Sequence, residues 1–349
     1  MTAQQPSIAT NPAPGAKRAK PSRRPLIIAL VLLSTFVVLL PAVLGGYWMR
    51  VLTVVFIFAI MAESVNIIAG YAGYNALGNA VFFGVGAYIV GVTTTQLNVP
   101  FWAALLLAGL GCVAYSVVIG YPILRLSGRY FLMATLGLLE ITREVVLNLD
   151  ITGGAQGIAT PVMDVSPEFA NRLFYYLALA VLATVVWVTW WIQRHNMGLA
   201  LRAIKFDEEA ARTMGINSTW YKTQAWAVSA FFTGLAGGVY AYFLAYIEPA
   251  SVFEIATSVR MYIEHVFGGA GTVFGPVLGA LILELLSEFV WARFTEIHYL
   301  ILGSLVILIT LFVPKGLISY IRKIPVHRLD AWVIGLFRRD SAGREESED

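Results

Sequence analysis

Apolar residues along this chain come in long blocks separated by short polar breaks. The blocks cover 26–44, 52–68, 101–119, 130–149, 173–192, 224–246, 256–267, 278–291 and 299–313. A run of about 20 apolar residues matches the thickness of a bilayer's hydrocarbon core when helical, so most blocks predict membrane-crossing helices. The blocks at 256–267 and 278–291 are short and flank a glycine-rich interval. With the glycine-rich stretch 70–88 counted as one more crossing, the pattern predicts an all-α polytopic protein with about ten crossings if both short blocks traverse, or about eight with a re-entrant hairpin over 257–290 if they do not. Between blocks two and three lies a second glycine-rich stretch, with Gly70, Gly73, Gly78, Gly84 and Gly86. In a bilayer such glycines let helices approach closely, and they also permit broken segments where protein or a cavity shields the backbone.

Composition agrees with that pattern. The 349 residues are 58% hydrophobic and 13% charged, with a mean hydropathy of +0.73, which excludes an ordinary soluble domain. Basic residues gather in residues 1–24 (Lys17, Arg18, Lys20, Arg23, Arg24), in the loop 193–223 and in the tail 314–349. The bias of cytoplasmic loops toward Lys and Arg places all three, and both termini, on the cytoplasmic side. Residues 1–24 are expected to be disordered, residues 25–313 to form the transmembrane domain, and the tail to be partly amphipathic with an acidic end. The first block is too long for a usual secretory core and lacks a small-residue cleavage site, so it is expected to be retained. Cys112 is the only cysteine, so no disulfide forms within the chain.

One polar interval, 198–222, stands apart. Its centre reads as one short helix, with Asp207 as N-cap, Glu208 and Glu209 in the first turn where the helix dipole favours acid, and Gly215 at the left-handed closing position. Ala210 and Ala211 give that helix a low surface, and Met214 and Ile216 put apolar groups beside it. A helix this short is not stable alone in water, so it must lean on something. It is either a solvated connector between two spans or a docking helix for a cytoplasmic partner.

Ionisable and amide groups within the apolar blocks are the other candidates, because such groups are costly in lipid and face protein or water. They are Asn66, Asn79, Glu140, Arg143, Arg260, Glu264 and His265. Glu140 and Arg143 are three residues apart and share a helix face, as a structural pair or as a solute contact; Arg260 and Glu264 have the four-residue spacing, with His265 on another face. No further ligands with suitable spacing accompany His265, so no metal site is expected. No catalytic constellation is evident, no feature points to nucleic acid, and no GxxxxGK[ST] phosphate loop occurs, so ATP hydrolysis, if used, belongs to another chain.

Several motifs bear a family resemblance. Glu209-Ala210-Ala211-x-x-x-Gly215 resembles the EAA-x-x-x-G loop by which ABC importer permeases fit a groove on their ATPase, and its setting between Gly198 and Ile216 resembles permeases of the LivM type. Asn66-Ile-Ile-Ala-Gly-Tyr-Ala-Gly73, the stretch Leu77 to Tyr88, Thr152-Gly-Gly-x-x-Gly157, Gly268-Gly269-x-Gly271-Thr-x-x-Gly275-Pro-x-x-Gly279 and Pro314-x-Gly-Leu317 resemble the same family. The likeness covers roughly 52–317. Two departures stand out: Asn79 occupies a place where relatives often carry His, so no role of that histidine is carried over, and apolar groups are expected where Glu264 and His265 stand. The resemblance implies a multi-pass permease subunit, not an enzyme, in a bacterial inner membrane. Its partners would be a second, unlike permease, two ATP-binding cassette subunits that bind the ATP, and a periplasmic solute-binding protein. The solutes implied are branched-chain or related hydrophobic amino acids. The same architecture could carry urea, short amides or aromatic acids. A self-contained secondary transporter or channel is the competing class.

Overall fold

The computed structural model describes residues 38–42, 44–163, 165–293, 303–304 and 316–318. The chain divides into two units, 1–44 and 45–349. Of the first unit only a 3-10 turn, Leu40–Ala42, and its neighbours are described. The expected span at 26–44 is otherwise outside the described residues, as are nearly all of the span at 299–313 and the tail.

The second unit is helical. Its first helix, α1 (Gly46–Val65), runs on through a wider π turn, Asn66–Gly70. From Thr53 to Val65 almost every residue of α1 is buried, which is how a helix apolar on all sides behaves when it forms the centre of a bundle. A 3-10 turn, Leu77–Asn79, then leads into α2 (Ala80–Thr95), followed by α3 (Phe101–Ile123) and α4 (Arg129–Leu147). Next come β1 (Ile158–Ala159), α5 (Pro167–Arg194), α6 (Asn196–Phe206), α7 (Glu208–Thr213) and α8 (Ser218–Leu244). The described part closes with β2 (Tyr246–Ile247), α9 (Pro249–Val252), α10 (Ile255–Gly269) and α11 (Gly275–Arg293). The strands make one small antiparallel pairing, Ile158 opposite Ile247, so the fold departs from all-α by two residues on each side.

Among the described residues five helical segments are long and apolar enough to cross a membrane: Gly46–Gly70, Leu77–Thr95, Phe101–Ile123, Pro167–Arg194 and Ser218–Leu244. With 15 residues, α10 is about 22 Å long, short of a hydrocarbon core of about 30 Å. The chain breaks within the glycine-rich interval, between Gly269 and Gly275, and Gly275-Pro276 starts the next helix. Proline is tolerated in a first helical turn, and the Gly275 N–H is taken up by Thr272 Oγ1 at 3.1 Å.

Packing follows the rules of a membrane bundle rather than those of a soluble core. Along α3, Ala104, Ala108, Cys112 and Ser116 recur every fourth residue and are buried, whereas Trp102, Leu106, Leu110 and Val118 point outward. Small residues allow contact between backbones, and large aliphatics suit lipid. The crossing of α2 and α8 brings two backbones together. A Cβ on Gly86 would stand 2.2 Å from the Gly234 carbonyl oxygen, and one on Gly237 would stand 1.9 Å from that of Phe83.

One end of this unit is marked by α7. At the opposite end lie the β1/β2 pair, the Gln96 to Ile151 hydrogen bond of 2.7 Å and the Arg50 to Asn171 bond of 3.2 Å that joins the starts of α1 and α5.

Candidate functional site

The interval expected to hold one short helix holds two. The first, α6, was missed because its pattern, with Leu201 and Ile204 buried and Leu199 and Lys205 outside, is brief and interrupted by basic residues. The second is α7. The Asp207 carboxylate caps it by accepting the backbone N–H groups of Glu209 and Ala210, both at 3.0 Å. Its far end closes through Gly215 at φ +84°, with the Ile216 N–H returning to the Ala211 carbonyl at 3.0 Å. Left-handed backbone there favours glycine, and the returning bond satisfies one of the helix's last free carbonyls.

The two alanines do different jobs. Ala211 is buried against its own chain, while Ala210 is exposed with Glu209, Thr213 and Met214. Two large apolar groups flank that face: Phe206 is 91% and Met214 85% exposed.

Glu208 ties α7 to the bundle. Its carboxylate accepts from Lys222 Nζ at 2.8 Å, from Arg212 at 2.5 Å and, through a short bond, from the Tyr74 hydroxyl. Lys222, in the first turns of α8, is wholly buried and also donates to Tyr74 Oη at 2.8 Å and to the Leu124 carbonyl at the end of α3, 2.9 Å away. All three ammonium donors of Lys222 are therefore used, as a buried lysine requires. Burial alone would raise the Glu208 carboxyl, but the Lys222 and Tyr74 hydrogen bonds and the Lys222 and Arg212 charges outweigh it and hold the group below the usual carboxylate range. Tyr74 is pushed up, first by burial and then by its bond to Glu208.

A second tie starts on α6. Lys205 Nζ donates to the Gly70 carbonyl at 2.7 Å, and partial desolvation of this ammonium end pulls the otherwise exposed lysine down from its usual range. Gly70 ends the π turn and abuts the loop between α10 and α11; a Cβ on Gly70 would lie 2.8 Å from Gly271 N. One turn earlier, Asn66 clamps that same loop, accepting from the Gly271 N–H and donating to the Thr272 carbonyl, both at 2.8 Å.

A family model described as "Branched-chain amino acid transport system / permease component" matches residues 47–310. The chain belongs to this permease family. It is 31% identical over 297 residues to the high-affinity branched-chain amino acid transport system permease protein LivM of Salmonella typhimurium, covering 77% of this chain and 69% of that protein. With LivM of Escherichia coli K12 it shares 30% identity over 320 residues, covering 84% of this chain and 75% of that one. The permease protein BraD of Pseudomonas aeruginosa is 23% identical over 288 residues, 77% of this chain and 93% of that protein. No solved structure matches.

Within this branched-chain amino acid permease-family chain the remaining polar residues fall in three places. Asn79 is fully bonded: its amide donates to Ser229 at 3.1 Å and Thr233 at 3.2 Å, and its oxygen accepts from Trp226 Nε1 at 3.2 Å. It thereby fixes the start of α2 to the middle of α8. Glu140 and Arg143 form the pair that their spacing predicts, at 3.3 Å, on a half-exposed face of α4. Arg260 lies 3.7 Å from Glu264, as its spacing predicts, but its shorter bond goes to Glu284 on α11. His265 is buried beside them.

Glycines 84, 268 and 275, like 70, 78 and 86, sit where backbone or a ring leaves no room for a side chain, while Gly73 and Gly269 face the side chains of Lys205 and Ile318 and, with Gly271, hold a positive φ. At Gly78 a Cβ would come within 1.8 Å of the Thr135 carbonyl oxygen. Among the described residues no group of three or more His, Cys, Asp and Glu is placed to hold a metal ion.

In the sequence Lys205 and Lys222 stand only as two more positive charges of the loop, and nothing in a motif marks Tyr74 or Glu284. The available signal was position: Lys222 stands five residues into a 27-residue apolar helix, and Glu284 stands inside an apolar run, where a charge is out of place.

Proposed function

We propose that this chain is a permease subunit of an ABC importer for branched-chain amino acids, and that α7 is the element through which separate ATPase subunits move it. One observation supports this reading above the rest: a capped, six-residue helix with an exposed apolar flank is bound to the interior of the bundle through Glu208 and Lys222. A helix too short to stand alone, yet tied at its inner face and bare at its outer one, suits a lever pushed from outside. Movement of α7 pulls on α8 and on the end of α3 through Lys222, and movement of α6 pulls on the Gly70 and Gly271 contact through Lys205. Two packed arrangements of these elements would open the pathway alternately to either side.

The partners in this reading are a second, unlike permease, two ATP-binding cassette subunits and a periplasmic binding protein, assembled in a bacterial inner membrane. The chain itself carries out no covalent chemistry.

The test replaces Gly215. Nothing lies within 4 Å of a Cβ there, so a side chain is opposed only by the left-handed backbone. That conformation costs an ordinary residue about 1–2 kcal/mol, and Asn tolerates it best. In proteoliposomes holding the full assembly, Gly215→Val is expected to lower ATP-driven leucine uptake about tenfold, with Gly215→Asn near wild type. Equal uptake by both variants, with ATPase association unchanged, defeats the lever.

A further inference from the structure

Charge on the outer face of a membrane bundle marks what can cover that face, and α4 carries such charge. Its residues Phe131, Thr135, Leu138, Leu139, Thr142 and Val146 are buried against the bundle. The opposite stripe runs through Met133, Gly137, Ile141 and Glu144, all exposed, with Glu140 and Arg143 beside it. Arg143 lies 3.3 Å from Glu140 and 3.5 Å from Glu144, so one guanidinium faces two carboxylates.

These charges stand at mid-depth. The spanning segment Leu77–Thr95 measures the depth, because α4 and the turn after it are bound near both of its ends. At one end the Gly78 N–H donates to Thr135 Oγ1 at 3.3 Å, and at the other Gln96 donates to the Ile151 carbonyl at 2.7 Å. Arg143 is eight residues from Thr135 and eight from Ile151. Tyr115, the fifteenth of the 23 residues of α3, bonds Thr142 at 2.6 Å and gives a similar level.

Lipid does not suit this stripe, because ionisable groups at membrane depth are costly there and face protein or water. The outward face of α3, with Trp102, Leu106, Leu110 and Val118, has the character of a lipid face and carries no charge. Water does not suit the α4 stripe either: Tyr130, Met133, Ile141 and Val145, each more than half exposed, surround the charges with apolar surface. Gly137 has nothing within 4 Å of a Cβ, which leaves a notch between Met133 and Ile141 where another helix can approach closely. Charge complementarity then names the kind of neighbour. Two carboxylates and one guanidinium leave the stripe one negative charge in excess, so the neighbour must bring a cation. A second copy of this chain does not: a two-fold axis along the membrane normal sets each residue opposite itself, placing four carboxylates against two guanidiniums in a medium of low dielectric.

We infer that this face of α4 receives a helix of the second, unlike permease, and that the helix brings a Lys or Arg to the level of Glu140 and Glu144. The same charge requirement selects an unlike partner over a second copy. The inference rests on the import reading for the existence of that partner; the depth and charge of the surface do not depend on it.

The test places the photocrosslinking residue p-benzoylphenylalanine at Ile141 and, in a separate protein, at Leu110 on α3. Each full assembly is irradiated in proteoliposomes and the crosslinked peptides are read by mass spectrometry. Position 141 is expected to crosslink to the second permease and position 110 to no protein. No protein crosslink at 141, in an assembly that takes up leucine with ATP, overturns the surface and leaves the import reading intact. A crosslink from 141 to another copy of this chain overturns the choice of partner. A crosslink to the second permease in an assembly that imports no leucine does the reverse: the import reading fails and the surface stands. The double variant Glu140→Gln, Glu144→Gln should lower recovery of the second permease on the tagged chain about tenfold, the worth of one charge-assisted hydrogen bond, and should allow 141 to crosslink to a second copy. Undiminished recovery with that variant overturns the charge requirement. Gly137→Leu should also lower recovery, while the chain alone unfolds like wild type because nothing of its own meets that side chain. Full recovery with Gly137→Leu overturns the notch.

Discussion

Lys222 contributes more to the candidate site than any residue chosen for its motif. A lysine fully withdrawn from water is tolerated because Glu208 neutralises it and Tyr74 and the Leu124 carbonyl take its other protons. Replacing it with Met keeps the stem's volume and removes the charge, leaving Glu208 to Arg212 and water. Glu208 is 18% exposed, so the loss should be at the lower end for a buried polar contact, about 1–3 kcal/mol. The expected outcome for Lys222→Met is an inserted protein in which the backbone amides of 208–213 exchange with deuterium faster than in wild type. A double variant with Glu208→Gln should add little to that, because the two residues act through one contact. Acid should act on the same contact. The Glu208 carboxyl is held below its ordinary range, so its tie contributes stability at neutral pH and loses it as pH falls through that lowered value. Unchanged exchange in Lys222→Met would show that α7 is held by its caps alone.

At the scale of elements, glycine marks where helices touch, and its cost depends on what stands opposite. Gly237 faces the Phe83 carbonyl across the α2/α8 crossing, and a valine there must push two backbones apart. Overpacking of this kind typically costs about 1–3 kcal/mol and more where backbone has to move. Gly137, on the open side of α4, has nothing within 4 Å of a Cβ. Gly137→Ala should therefore be neutral or stabilising by up to about 1 kcal/mol through the helix preference of alanine. Thermal unfolding of the two variants in detergent should separate them in opposite directions. A Gly237→Val protein as stable as wild type would mean the crossing is looser than its geometry. The α10/α11 hairpin follows the same rule, with Gly268 against the Gly275 carbonyl and Gly279 against that of Glu264.

For the whole molecule, the two ends differ in character and can be told apart by labelling. Cys112 is buried and should not react with a membrane-impermeant maleimide, so single cysteines can be added to the natural chain. Ala210→Cys, on the bare face of α7, should react only in inside-out vesicles. Val162→Cys, 76% exposed at the β1/β2 end, should react only from the other side. Labelling of both from one side would overturn the proposed sidedness of α7, and with it the lever.

The long helices of 46–70, 101–123, 167–194 and 218–244 and the capping of α7 by Asp207 and Gly215 were legible in the sequence because each depends on neighbours within a few residues. Side-chain spacing likewise sufficed for Glu140 with Arg143 and Arg260 with Glu264, since a helix brings such residues together wherever it lies. What the sequence could not supply was contact between distant segments. Lys222 meets Tyr74, 148 residues away, and Asn66 meets Gly271, 205 residues away. Glu284 captures Arg260 from another helix. Such pairings have no period in the chain, and only close packing of the bundle, which removes these groups from water and obliges each to find a partner, decides them.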